Sequence, residues 1–152
     1  MESKFFEYLL TQKIKRKVRI VFPETEALQI LKTAERLVEL DAAIPVLIGK
    51  DAEIRSFAEA NQLSLKNMEI VDNEDPELTE TIVKEYFKVD NFLTEKSLRR
   101  KLMTREGFAA GLVKASLADG FVSGYQSTTG ETVFAAQNVI GLKEGISTVS
   151  SM

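Results

Sequence analysis

Short β-branched and aliphatic runs alternate with longer stretches of helical apolar spacing in this chain, and that alternation constrains the fold more than any other feature. Val18 to Phe22 is a β-branched run closed by Pro23. From about Thr25 to Leu40, apolar residues recur at Ala27, Ile30, Leu31, Ala34, Leu37 and Val38, with polar residues between them. That spacing predicts a helix with one buried stripe. Ile44 to Ile48, closed by Gly49, predicts a second strand; Asp51 is expected to cap a helix reaching about Asn61; and Met68 to Val71 predicts a third strand. Asp75, Pro76 and Glu77 offer an N-cap, a proline at the first helical position and an acid in the first turn of a helix carrying Leu78, Ile82, Val83 and Tyr86. Further helices are expected from Thr94 and over Phe108 to Lys114, then a strand over Ala118 to Ser123, a helix over Thr129 to Ile140, and a last strand over Ile146 to Met152.

Strands alternating with helices at this spacing imply βαβ units. The expected fold is a three-layer α/β/α domain with a mainly parallel sheet over residues 17–152. An amphipathic helix within residues 1–16, carrying Phe5, Phe6, Leu9 and Leu10, precedes it. Because the final residues fall inside a strand pattern, the chain is expected to be truncated relative to a two-domain parent.

Absences narrow the chemistry. The chain has no cysteine and no histidine. Disulfides, thiolate metal sites, a cysteine nucleophile and a Ser-His-Asp triad are excluded within it, and no metal is expected. A formal charge of -3 gives no reason to expect nucleic acid as a partner. No apolar run is long enough to span a bilayer and the start lacks a signal-peptide core, so a cytoplasmic address away from membranes is expected.

Parallel α/β sheets place ligands beyond the carboxyl ends of their strands. The richest such stretch here runs from Asp119 to Glu131, where a strand gives way to a loop with two glycines and several hydroxyls, directly before a helix. Exposed N–H groups at a helix start, with small residues allowing close approach, suit an anion. The same residues also spell a capping box, in which Thr128 and Glu131 satisfy each other's backbone, and capping is the commoner use of such a sequence. Neither a Walker A motif nor a G-x-G-x-x-G fingerprint is present. Arg99, Arg100, Lys101 and Arg105 form a basic cluster that reads as a solvated helix face, with attraction of an anionic substrate as the alternative. Tyr86, Phe87, Phe92 and Phe108 read as core packing.

Several blocks resemble one family. Arg19-Ile20-Val21-Phe22-Pro23-Glu24, the helix segment Ile30 to Leu37, Pro45-Val46-Leu47-Ile48-Gly49, Asp119-Gly120-Phe121-Val122-Ser123-Gly124 with Thr128 and Thr129, and Gly145 to Ser151 are similar, in the same order, to blocks of the phosphate acetyl/butyryl transferase family. The resemblance covers Arg19 to Met152. It implies the first domain of a two-domain enzyme, often a homodimer, that moves an acetyl group between coenzyme A and phosphate. Its partners would be the small molecules acetyl phosphate, phosphate and acetyl-CoA; coenzyme A would be a substrate, with no cofactor bound. By the same resemblance, Ser123, Gly124, Thr128 and Thr129 would contact substrate or phosphate. The second domain would supply a serine-arginine pair and an aspartate base.

The chain departs from the pattern at informative places. Phe134 stands where the family commonly carries an arginine, Gln29 replaces another arginine, Thr25 a glycine and Ser127 a histidine. A phenyl ring cannot offer a guanidinium's forked donors and fixed charge. Phe134 and Gln29 in place of arginines, the lack of histidine and cysteine, and the expected absence of the second domain together predict that the isolated chain is inactive. The two arginine losses also keep open a second reading, a non-catalytic domain that senses acyl-CoA or phosphate.

Overall fold

Val21 and Phe22 are neighbours in the first strand, yet they enter two different cores, and the layered architecture follows from that. In the computed structural model, which describes residues 16–146, strand β1 (Val18–Phe22) lies between β2 (Ala43–Ile48) and β4 (Gly120–Phe121), with β3 (Glu69–Val71) beyond β2. Every pairing is parallel: Val21 faces Val46 and Phe121, and Leu47 faces Ile70. The helices are α1 (Leu28–Glu39), α2 (Asp51–Ala60), α3 (Pro76–Val89), α4 (Glu95–Leu102), α5 (Arg105–Lys114) and α6 (Thr129–Ala135).

Successive strand residues point to opposite faces. Phe22 and Leu47 pack on Ile30, Leu31 and Ala34 of α1 and on Ile54 and Ala58 of α2. Val21, Val46 and Ile48 pack on the other side, against Ile82 and Tyr86 of α3, Leu98 and Leu102 of α4, and Phe108 of α5. Both faces are therefore covered, as a parallel sheet requires. Each fully buried aliphatic or aromatic side chain contributes roughly 1.5–3 kcal/mol.

Side-chain caps start the helices of the second layer. Asp75 accepts from the N–H groups of Glu77 and Leu78, and Thr94 and Thr104 accept from Ser97 and Gly107. A side chain at Gly107 would collide with the Lys101 carbonyl oxygen, so glycine is what lets α5 turn back tightly against the end of α4.

Several expectations need correction. Asp51 does not cap α2; Lys50 occupies that position without a side-chain bond, and Asp51 pairs with Arg55 at 2.7 Å. Helix α1 begins at Leu28 rather than Thr25, because Thr25 turns inward and its hydroxyl donates to the Ile48 carbonyl at 2.8 Å. The strand expected over Ala118 to Ser123 shortens to Gly120–Phe121. Val122 is 53% exposed, since the chain leaves the sheet there after one bond from its N–H to the Val21 carbonyl. Phe92 is 79% exposed and Phe87 only edge-packs on Tyr86, so neither belongs to the core. The helix expected to reach Ile140 stays α-helical only to Ala135 and continues as a π-helical turn, Ala136–Ile140. The N-terminal helix and the strand residues after Ile146 lie outside the described residues. No helix among the described residues is long and apolar enough to cross a membrane.

Candidate functional site

The chain leaves β1 through Pro23 and places Glu24 at the carboxyl end of the sheet, only 4% exposed. There the carboxylate meets the loop that follows β4. Oε2 accepts from the N–H groups of Gly124 and Tyr125, each at 3.0 Å. Oε1 accepts from the N–H groups of Gln126 at 2.6 Å and Ser127 at 2.7 Å, and from the Ser127 hydroxyl at 3.0 Å. Four consecutive N–H groups thus converge on one carboxylate, a concave anion nest already filled by the protein itself. The nest depends on Gly124, whose φ of +109° is a conformation side-chain-bearing residues rarely adopt.

Burial alone would push the Glu24 carboxyl up. The hydrogen bonds from Ser127, Gln126 and Tyr125 outweigh it and bring the group down from 4.5 to about 2. Glu24 is therefore a fixed anion across physiological pH. Sequence reasoning missed it. Its signals were a charged residue placed directly after an apolar strand and a proline, and its place at the end of the Arg19 to Glu24 block.

Beside the nest lies a cavity of about 600 Å³. One wall is the end of α4, with Arg100 and Lys101; another is the start of α5, with Thr104 and Glu106; the third is Ser127, Glu131 and Phe134. The Ser127 hydroxyl reaches Glu106 Oε1 at 2.8 Å as well as Glu24. Arg105 links the start of α5 to the end of β1 through an ion pair with Glu26. The cavity thus sits beyond the carboxyl ends of the parallel strands, the usual ligand position in such sheets.

The residues singled out from sequence are dispersed around this geometry. Gly124 gives its N–H to Glu24. Ser123 has a buried hydroxyl with no hydrogen-bond partner. Thr128 forms the capping box: its N–H donates to Glu131 Oε2 at 2.7 Å and its hydroxyl to the same atom at 2.9 Å. These bonds hold the Glu131 carboxyl below its ordinary value. Thr129 is the exposed first residue of α6. None of these residues lines the cavity, whereas their neighbours Ser127 and Glu131 do. Asp119, the other carboxylate of the segment, sits at the opposite, amino end of β1. It is paired there with Arg16 and accepts the Arg19 N–H at 2.8 Å.

Comparison with known proteins follows the same lines. A model of the family described as phosphate acetyl/butaryl transferase matches residues 4–152. The phosphate acetyltransferase of Helicobacter pylori is 33% identical over 150 residues, 97% of this chain and 29% of the relative. That of Bacillus subtilis is 33% identical over 136 residues, 89% of this chain and 42% of the relative. Among solved structures, a phosphotransacetylase from Streptococcus pyogenes superposes with a TM-score of 0.81 at 27% identity, covering 97% of this chain and 45% of its own. The EutD phosphotransacetylase from Staphylococcus aureus gives 0.78 at 29% identity, covering 93% and 43%. The chain therefore spans less than half the length of these relatives.

Proposed function

Because the chain belongs to the phosphate acetyl/butaryl transferase family, we propose that it forms one wall of a site that moves an acetyl group between coenzyme A and phosphate. The observation that carries the reading is the cavity of about 600 Å³ at the carboxyl end of the parallel sheet, lined by hydroxyl, amide and cationic groups together with the carboxylates of Glu106 and Glu131 and the Phe134 ring. In this reaction the thiol sulfur attacks the acetyl carbon of acetyl phosphate, a tetrahedral oxyanion forms, and phosphate leaves with the bonding pair. The site must therefore hold a phosphoryl group, steady the oxyanion and remove the thiol proton.

On this reading the chain supplies positioning. Glu24 rigidifies the loop that carries Ser127, and the α5 start sets the depth of the cavity. Ser123, Gly124, Thr128 and Thr129 stay proposed phosphate contacts beside the cavity, although the Ser123 hydroxyl is buried and the N–H groups of Gly124 and Thr128 are already given to Glu24 and Glu131. The carboxylates nearest the cavity already have partners: Glu24 in the nest, Glu131 in its cap and Glu106 on Ser127. The proton acceptor is accordingly assigned to the part of the longer relatives that this chain does not span. A homodimer and a cytoplasmic address belong to the same proposal.

The reading is tested by titrating the isotopically labelled chain with acetyl phosphate and, separately, with coenzyme A. Amide shifts should concentrate at Thr104, Gly107, Ser127 and Glu131. Shifts confined to other surfaces, or none at saturating ligand, would overturn it.

A further inference from the structure

We propose that Lys114, the last residue of α5, is a positioning residue for the cavity: its ammonium holds the π-helical turn Ala136–Ile140, whose Asn138 and Val139 form part of the wall. That this wall meets a substrate rests on the acetyl-transfer reading; that Lys114 holds it does not. Lys114 Nζ donates to the Ile140 carbonyl at 2.8 Å and pairs with Asp90 Oδ2 at 2.7 Å. Its side chain is only 20% exposed. Asp90, directly after α3, also accepts the Phe92 N–H at 2.8 Å. The ammonium, with that N–H, holds the Asp90 carboxyl below its ordinary value, so the pair is charged and the ammonium is held from behind. One side chain thus ties the ends of α3 and α5 to the last carbonyl of the π turn.

The turn needs such a tie because its own sequence does not specify it. Ala136, Gln137, Asn138, Val139 and Ile140 include no proline or glycine, and nothing in them bars an ordinary α-helical continuation of α6. Instead the Gly141 N–H bonds the Ala136 carbonyl at 3.1 Å, one residue farther back than an α-helix would reach. Going over to α-helical winding would rotate the later side chains by as much as about 100°, one residue's turn, and carry Asn138 and Val139 off the wall. Tertiary contacts therefore hold the register. Val139 makes some of them, 2% exposed in the same core as Phe108 and Leu112 of α5. Another is polar: carbonyls at a helix end have no partner within the helix, and Lys114 supplies the donor for Ile140. Two simpler accounts fall short. A cation serving the C-terminus of its own helix would stay near the α5 carbonyls, in water, whereas Lys114 reaches a carbonyl 26 residues on. A plain ion pair with Asp90 would involve no group on the π turn.

The test is residue-resolved amide hydrogen exchange on the full chain, followed by calorimetric titration with acetyl phosphate and with coenzyme A. The parent is compared with Lys114→Met, which keeps the stem and loses the donors, with Lys114→Arg, and with the control Lys88→Met, whose lysine pairs with Glu85 on the surface of α3. Lys114→Met/Asp90→Asn strands no carboxylate, so it carries the test if the single variant does not fold. In both Met variants at position 114, exchange at Val139, Ile140 and Gly141 should quicken at least about tenfold relative to the β1 and β2 amides, as for loss of a charge-assisted hydrogen bond. Lys114→Arg and Lys88→Met should keep the parent's ratio within about threefold, since a guanidinium also donates. Turn and strand amides quickening alike would show a purely global role and overturn the proposal, as would Lys114→Arg behaving like Lys114→Met. Whichever ligand the parent binds should bind at least about fivefold more weakly once the turn is loosened. Unchanged affinity with a loosened turn would overturn the positioning role and leave the acetyl-transfer reading standing. If the parent binds neither ligand, that reading fails, and the exchange ratio alone decides whether Lys114 holds the wall.

Discussion

Ser127 meets the Glu24 carboxylate twice across 103 residues of chain, through its backbone N–H at 2.7 Å and its hydroxyl at 3.0 Å. The contact ties the exit of β1 to the loop after β4. Because Ser127 also lines the cavity, the position of that wall is set by a buried charge and not by hydrophobic packing alone.

Replacing Glu24 by alanine should therefore destabilise the fold well beyond an ordinary surface change. Four backbone N–H groups would lose their acceptor at a buried position. Breaking such a buried charged arrangement costs roughly 3–5 kcal/mol. Urea denaturation of Glu24→Ala against the parent measures it; a loss under about 1 kcal/mol would mean the nest contributes little.

Acid should act through the same residue. The folded Glu24 carboxyl lies at about 2, below its ordinary value of 4.5. A depressed folded value means that its stabilisation is fully present above about pH 5 and is lost as pH falls from there toward 2. At about 1.4 kcal/mol per pKa unit the contribution is about 3 kcal/mol. Other carboxylates titrate in this window, so Glu24→Gln is the reference. The stability gap between parent and variant should shrink steadily on acidification, and a gap that stays constant would contradict the assignment.

Glu106→Gln should be neutral or stabilising. A hydroxyl carries one proton, yet Ser127 Oγ faces Glu24 Oε1 at 3.0 Å and Glu106 Oε1 at 2.8 Å, and an ionised carboxylate can only accept. An amide at position 106 can donate to Ser127, freeing its proton for Glu24. The gain should be about 1 kcal/mol, that of one net hydrogen bond, seen as a higher melting temperature at neutral pH. A clear destabilisation would show that the carboxylate serves some other bond.

Much of the fold could be read from residue patterns, because strands buried on both faces are continuous apolar runs and the helices carry stripes and caps. Val18 to Phe22 and Ala43 to Ile48 announce themselves in this way. The failures have physical causes. Val122 continues an apolar run but leaves the sheet at its β4 end and is half exposed there. Asp51 looks like a cap but is used one position later, in an ion pair with Arg55. The site was half visible: the segment from Asp119 to Glu131 suits an anion, but the anion its N–H groups hold is Glu24, supplied from β1. No local pattern predicts a partner 100 residues away. The basic cluster on α4 looked uniform for a related reason, since Glu80 of α3 removes Arg99 from it and leaves Arg100 unpaired.

The most direct test of the central claim, that these residues build one wall of an acetyl-transfer site and leave the reacting groups to the rest, is an activity assay on the 152-residue chain. The purified protein is incubated with acetyl phosphate and coenzyme A, and thioester formation is followed against a no-protein control. Holding both substrates in register is what accelerates such a transfer, and one wall cannot do it. The account predicts a thioester rate equal to that of the control, in a preparation that binds acetyl phosphate. Turnover of about one per second or faster, within the normal range for enzymes, would contradict it and place a complete catalytic set within this chain.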